Sequence, residues 1–120
     1  MKSSKLLIYN SHGTYGRDDD AYGALLASNS ALAKGMEVSL ILVDDGVCMA
    51  KANQDTAKIG LPNNLEDIGD LIDLDGVLYV VKECLEERGI ANEELIEDAK
   101  VITFADIPAL IEQHDISLTF

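Results

Sequence analysis

The sequence predicts an α/β fold in which helices cover both faces of a mostly parallel, five-stranded sheet. Short apolar segments alternate along the chain with segments of helical character. The segment 77–81 is apolar throughout, which is typical of a strand buried on both faces of a parallel sheet. Since parallel strands need crossovers and right-handed crossovers cover both faces, we expect three layers, an α/β/α sandwich.

Five segments have the composition of strands. They lie at residues 6–9, 38–43, 77–81, 101–102 and 116–120. The last one alternates apolar and polar residues, which places it at a sheet edge. We expect the strand order 2-1-3-4-5, in which the direction of winding reverses between strands 1 and 3. This order brings the loops at His12, Asp44 and Cys84 to the same edge of the sheet, where ligands of such folds bind.

The helices are predicted from apolar periodicity and from capping residues. They are expected at about residues 18–34, within 47–59, and at 63–74, 82–88, 92–98 and 103–114. Gly35 and Gly89 provide the usual C-terminal stop for two of them. Thr103 and Asp106 form a capping-box variant before the last helix, whose first turn tolerates Pro108.

The composition predicts a single domain that spans residues 1–120 and has one core, with 48% hydrophobic and 26% charged residues. A formal net charge of -13 and the lack of a Lys/Arg cluster argue against nucleic acid or an anionic membrane as a partner. No apolar run approaches membrane-spanning length, and residues 1–5 lack the features of a signal peptide. We therefore expect a cytoplasmic protein in which Cys48 and Cys84 stay reduced.

Cys84 is the leading candidate for a reactive group. It follows the central strand 77–81 at the start of a short helix, beside the crevice that borders the carboxyl ends of the strands. The helix N-terminus and Lys82 or Arg88 favour its thiolate, whereas the neighbouring glutamates oppose it. The alternative is a small buried side chain at a helix start, a common role for cysteine.

Cys48 and His12 are candidates to support Cys84. Cys48 follows the turn after the second strand and is a possible resolving or second carrier thiol, with core packing as the alternative. His12 lies in a glycine-bearing loop after the first strand, where an imidazole can orient a ligand or exchange a proton with Cys84. Its alternative role is that of a loop histidine bonded to the backbone.

Arg17 and Asp44 complete the candidate set. Arg17 can hold an anion at the start of the first helix, although the adjacent aspartates compete for it. Asp44 and Asp45 can form a carboxylate pair for acid-base chemistry or Mg²⁺, and turn chemistry is the simpler explanation. The dinucleotide and Walker fingerprints are both absent, and the cysteines and histidines match no zinc pattern, so no cofactor or metal is expected.

Three segments at these loops resemble the DsrE/DsrF-like family, which includes the DsrE and TusD sulfur-relay proteins. They are HGTYGRDD at 12–19, DGV at 45–47 and CLEERG at 84–89. The resemblance implies an α/β subunit that forms a homo-oligomer, as a dimer, trimer or hexamer. It also implies, for some members, a cysteine that carries sulfur as a persulfide between a donor and an acceptor protein. In the relay proteins that cysteine ends strand 3, where this chain has Val81, and Cys84 lies one helical turn later.

Two functions follow as hypotheses. In the first, the protein is a sulfurtransferase-like carrier in which Cys84 accepts sulfane sulfur and passes it on without a cofactor. In the second, it is a noncatalytic oligomeric module that binds a small ligand or a partner protein in the same crevice. A carrier needs an accessible Cys84 that is alkylated readily near neutral pH, whereas the module tolerates a buried, inert thiol.

Overall fold

A computed structural model describes residues 4–12, 20–52 and 64–120 of the chain. The strands are β1 (Lys5–Asn10), β2 (Glu37–Leu42), β3 (Val77–Val81), β4 (Lys100–Ile102) and β5 (Ile116–Thr119). The helices are α1 (Asp20–Ala33), α2 (Asn64–Asp73), α3 (Lys82–Glu87) and α4 (Ile107–Glu112). Short 3₁₀ segments occupy Asp44–Ala50, Asn92–Glu94 and Phe104–Asp106.

The five strands form one sheet in which every pairing is parallel. The predicted α/β class is therefore confirmed. The strands β1, β2 and β3 supply ten of the 22 buried apolar side chains among the described residues, and most of the others come from α1, α2, α3 and the 3₁₀ segment Asp44–Ala50. Since this sheet is parallel, the carboxyl ends of all its strands lie at one edge.

The predicted strand order is wrong. The observed order is β4-β3-β2-β1-β5, which makes β2 the middle strand and places β4 at an edge. The physical reason lies in the apolar surface of the two strands: Val38–Leu42 of β2 is buried throughout, whereas β4 is three residues long and its Lys100 and Val101 are exposed. An edge position would have left much of β2 in water. The prediction that β5 lies at an edge is confirmed.

The helices lie on the two faces of the sheet. Helices α1 and α2 pack side by side, and Asn29 Nδ2 donates to the carbonyl of Asp67 at 3.0 Å. On the other face, His114 follows α4 and contacts both Leu110 O at 2.5 Å and Ser39 Oγ at 3.0 Å. His114 thus ties the end of α4 to the middle strand, which completes the predicted three layers.

The local signals predicted several element ends. Gly35 and Gly89 follow α1 and α3 with φ angles of 95° and 65°, as expected for C-terminal stops. Thr103 N donates to Asp106 Oδ2 at 2.9 Å, as expected for the capping box. Of the segment 47–59, in which a helix is predicted, residues 47–50 belong to a 3₁₀ segment and residues 53–59 lie outside the described residues. At 92–98, where one or two helical turns are predicted, the structure has a single 3₁₀ turn at Asn92–Glu94. None of the described helices is long and apolar enough to cross a membrane.

Candidate functional site

The ends of three neighbouring strands form the candidate site. Because β1, β2 and β3 are adjacent and parallel, the loops that follow them meet at one sheet edge. The prediction that His12, Asp44 and Cys84 share this edge is therefore confirmed. The predicted reason for the shared edge, a reversal of the winding direction between strands 1 and 3, is wrong. In the observed strand order the winding direction reverses between β1 and β5.

Asn10 joins the first two loops. Its side chain is fully buried, and Nδ2 donates to His12 O and to Met49 Sδ, both at 3.0 Å. Oδ1 accepts from His12 N at 3.2 Å, and the Asn10 carbonyl accepts from Val43 N at 3.0 Å. A buried amide with these partners holds the end of β1 against the 3₁₀ segment that begins at Asp44.

Cys84 lies beneath the turn that follows β2. Its side chain is 1% exposed, and Sγ accepts a hydrogen bond from Asp44 N at 3.2 Å. Sγ also lies 4.0 Å from Asp44 Oδ1, at the limit of a thiol hydrogen bond. Asp44 takes a φ of 48°, a left-handed conformation that aspartate tolerates better than most residues. The turn at Asp44 therefore directs a backbone donor at the sulfur.

Burial has the largest effect on the protonation of the Cys84 thiol. It raises the pKa of Cys84 above its ordinary value, and the Asp44 N–H opposes this by favouring the thiolate. The charges of Asp44 and Glu87 raise the pKa further, while Arg88 lowers it. The balance leaves the pKa raised, so Cys84 is a neutral thiol near neutral pH. The accessible, readily ionised thiol expected of a carrier is absent from this conformation.

Arg88 is the cation beside the site. Its Nη2 and Nε lie 3.0 and 3.1 Å from Asp45 Oδ1, and Nη1 donates to the Cys84 carbonyl at 3.3 Å. These contacts connect α3 to the 3₁₀ segment. The Arg88 and Asp45 side chains are 26% and 77% exposed, so the pair is held weakly, by about 1 kcal/mol or less. Lys82, the other predicted cation, is paired with Glu86 at 3.8 Å instead.

Nearby charges also shift the pKa values of Cys48 and Tyr9. Cys48 is half-buried, and burial followed by the Asp45 charge raises its pKa, against opposing effects of Arg88 and Lys51. Since the pKa of each cysteine is raised, both are thiols near neutral pH. Burial raises the pKa of Tyr9, and so do the charge of Asp44 and the charge that Cys84 carries once it ionises at alkaline pH.

The remaining candidates fall in different places. His12 is half-buried beside the 3₁₀ segment, and a role for its imidazole stays a prediction. Arg17 lies outside the described residues. Asn10 and Tyr9 were missed by the sequence analysis, because an asparagine and a tyrosine at the end of a strand carry no signal until the neighbouring loops are placed. Within the described ranges, no group of three His, Cys, Asp or Glu side chains could hold a metal ion.

The carboxylate of Asp44 provides a test of this electrostatic balance. Asp44→Asn removes the charge that raises the pKa of Cys84, keeps the backbone N–H, and suits the left-handed conformation. We expect the pKa of Cys84 to fall, so that its alkylation at a fixed, mildly alkaline pH becomes faster. The rate is measured by mass spectrometry of the Cys84 peptide after timed exposure to iodoacetamide. Asp73→Asn, on α2, is the matched control and should leave the rate of Cys84 alkylation unchanged. Equal alkylation rates in the two variants would mean that the Asp44 carboxylate does not raise the pKa of Cys84.

The chain matches the DsrE/DsrF-like family over residues 4–120. It is 35% identical over 116 residues to the uncharacterized protein MJ0989 of Methanocaldococcus jannaschii, covering 97% of this chain and 99% of that one. It is also 28% identical over 85 residues to the TusC homolog of Vibrio vulnificus, covering 69% and 71% of the two chains.

Solved structures share the fold. The YchN protein of E. coli superposes with a TM-score of 0.84 at 19% identity, covering 99% of this chain and 100% of that one. MTH1491 of Methanobacterium thermoautotrophicum gives a TM-score of 0.70 at 10% identity, with coverage of 99% and 100%. A sequence match across nearly the whole chain, supported by this agreement in fold, means that the protein belongs to the DsrE/DsrF-like family.

Proposed function

We propose that this protein is a sulfur-relay protein that carries sulfane sulfur as a persulfide on Cys84, in the cytoplasm and without a cofactor. The observation that supports this most directly is the hydrogen bond from Asp44 N to Cys84 Sγ at the carboxyl edge of the sheet. Membership in a family that includes sulfur-relay proteins, and the match to a TusC homolog, make sulfur the expected cargo. The proposed partners are a donor protein and an acceptor protein.

The proposed transfer needs no oxidant. The Cys84 thiolate attacks the outer sulfur of a donor persulfide, an S–S bond forms to Sγ, and the donor S–S bond breaks. The donor thiolate leaves and takes up the proton that Cys84 releases. The Asp44 N–H favours the thiolate that attacks, and the same thiolate is restored when an acceptor thiolate removes the outer sulfur.

Access to Cys84 requires an opening of the site. Because Cys84 is 1% exposed and its Sγ lies against the 3₁₀ segment, α3 and that segment must separate before a donor can reach the sulfur. The Arg88 contact to Asp45 crosses the same boundary and is exposed, so it is a weak point. In this proposal the donor protein binds at the carboxyl edge of the sheet and stabilises the open form. Once the donor leaves, the site closes, and the closed site protects the persulfide from stray thiols.

The test is intact-mass analysis of the reduced protein after incubation with an inorganic polysulfide and, separately, with a persulfide-loaded carrier protein. We expect a mass gain of one sulfur atom in the unsubstituted chain and in Cys48→Ser, and none in Cys84→Ser. Circular dichroism of both variants checks that they fold. A gain that persists in Cys84→Ser, or disappears only in Cys48→Ser, would remove the carrier role from Cys84.

A second candidate function is favoured by the burial of Cys84 and its raised pKa. In this alternative the chain is a noncatalytic subunit that binds a partner protein or small ligand at the same edge, and Cys84 serves as packing. No adduct from either donor, under conditions that load a known carrier, would support the noncatalytic subunit and reject the carrier.

A further inference from the structure

A cavity opens at the amino edge of the sheet, where the strands begin, opposite to the edge that holds the candidate site. Its volume is about 500 Å³, which is within the range of small-molecule sites. The exposed Glu37, Asp75 and Gln113 line it together with the buried Ser39 and the half-buried His114. The cavity therefore extends from the surface to the middle strand, and none of these residues belongs to the candidate site.

Ser39 is the one polar side chain in the buried part of β2, residues 38–42. It is 7% exposed and lies opposite Leu7 on β1 and Val77 on β3. An interior strand of a parallel sheet normally carries larger apolar side chains at such positions. The small serine leaves space above the sheet, and its side chain borders the cavity.

His114 binds the Ser39 hydroxyl group through one ring nitrogen. Its Nε2 lies 3.0 Å from Ser39 Oγ, and its Nδ1 lies 2.5 Å from the carbonyl oxygen of Leu110. Because a carbonyl oxygen can only accept, Nδ1 carries the proton of the neutral imidazole and Nε2 is the acceptor. The Ser39 O–H therefore donates to Nε2. A hydroxyl group bonded to an imidazole that a third group orients is the arrangement that activates a serine nucleophile.

The surroundings favour the imidazolium that forms when Ser39 gives up its proton. The Leu110 carbonyl orients the ring and holds the Nδ1 proton, which is the role of the carboxylate in a Ser-His-Asp triad. The cavity lining also holds the carboxylates of Glu37 and Asp75 and the ammonium group of Lys5, which leaves it net negative. This charge stabilises a cationic imidazole and disfavours an anionic substrate.

We propose that Ser39 and His114 form a second reactive site, in which Ser39 is the nucleophile toward small, uncharged carboxylic esters. Ser39 Oγ attacks the ester carbonyl carbon and passes its proton to His114 Nε2. The C–O bond to the alcohol breaks, and His114 returns the proton to the leaving alcohol. Water then attacks the acyl-serine by the same route, which releases the acid and restores Ser39. Lys5, Tyr79 and Gln113 line the cavity and carry hydrogen-bond donors for the oxyanion.

The cavity distinguishes this site from a hydrogen bond that only ties α4 to β2. A purely structural contact needs no open volume beside it, since protein interiors are close-packed. The site is also separate from Cys84. Ser39 lies opposite Val77, the first residue of β3, whereas Cys84 follows the last one. Sulfur uptake at Cys84 should therefore be unaffected by substitution of Ser39, and the two proposals can fail independently.

Covalent labelling with phenylmethanesulfonyl fluoride tests the nucleophile, because this reagent sulfonylates activated serines and releases fluoride. We expect peptide mass mapping of the folded, unsubstituted chain to place one adduct on Ser39, and the chain unfolded in urea to have none. Ser117→Ala is the matched control and should keep the adduct, since Ser117 is an exposed serine that also lies opposite Leu7. A folded chain without an adduct on Ser39 would overturn the proposal.

His114→Gln separates a reactive pair from a structural contact. Glutamine offers Ser39 a hydrogen-bond partner but cannot take its proton, so we expect labelling to be about 100-fold slower or more. Hydrolysis of p-nitrophenyl acetate should fall in His114→Gln and in Ser39→Ala, and it should be unchanged in Ser117→Ala. Circular dichroism of each variant checks that it folds. Labelling of His114→Gln as fast as that of the unsubstituted chain, or hydrolysis unchanged in Ser39→Ala, would overturn the proposal.

Discussion

Gly46→Ala is expected to destabilise the fold by about 3 kcal/mol, as overpacking against rigid backbone does. A Cβ at this position would lie 2.5 Å from the Asn10 carbonyl oxygen and 3.5 Å from that of His12. The first contact is shorter than any that real Cβ atoms make. The Asn10 carbonyl cannot retreat freely, since it accepts from Val43 N at 3.0 Å. The 3₁₀ segment must move instead.

Gly69→Ala is the matched control, with the opposite sign. Gly69 lies on the exposed side of α2, and no heavy atom lies within 4 Å of a Cβ built there. Alanine restricts the unfolded chain and favours the helix, so the free energy of unfolding should rise by about 1 kcal/mol. Urea unfolding of both variants against the parent provides the measurement. If Gly46→Ala were as stable as the parent, the tight approach of the two loops would be refuted.

Gly46→Ala should also link the stability of the fold to the accessibility of Cys84. Movement of the 3₁₀ segment in Gly46→Ala shifts Asp44, whose backbone N–H donates to Cys84 Sγ at 3.2 Å. Cys84 should therefore become more accessible as well, and its alkylation faster. A variant that loses stability with no change in alkylation would mean that Cys84 is enclosed by other groups.

The sequence contained enough information for the elements but not for their arrangement. Apolar runs and glycine stops indicated β1, β2, β3 and the end of α3 within a few residues, because these signals are local. The strand order depends on contacts between residues far apart in the sequence. The order 2-1-3-4-5, which is common in doubly wound sheets, was therefore predicted by analogy and was wrong. The apolar run of β2 resembled that of β3 closely enough to indicate a second interior strand.

The location of the site could be predicted from the sequence, but the burial of Cys84 and its contact with Asp44 could not. Parallel strands place the loops of Cys84 and Asp44 at one edge in any order of the sheet, which is why a shared edge was predicted. Their direct contact depends on β2 lying next to β3, which was not predicted. The burial of Cys84 was not predictable, because it depends on how the 3₁₀ segment and α3 close over it. The contact of Asp44 N with the sulfur depends on one φ angle of 48°, which no residue pattern specifies.

Leu40→Ala is expected to cost about 4 kcal/mol, which is the largest loss that we expect from a single truncation. Leu40 lies on the middle strand, opposite Ile8 on β1 and Leu78 on β3, and all three side chains are fully buried. With strands on both sides and helices above, the cavity cannot collapse or fill with water easily. In the order 2-1-3-4-5, β2 would be an edge strand and the same truncation would cost about half as much.

Leu74→Ala provides the matched control for this truncation. Leu74 follows α2 and is 46% exposed, so removing the same atoms should cost about 1 kcal/mol or less. Chemical denaturation of the two variants separates the alternatives, provided that both unfold with the slope of the parent. A loss for Leu40→Ala as small as that for Leu74→Ala would contradict a middle position for β2. It would also remove the adjacency of β1, β2 and β3 from which the Cys84 site is built.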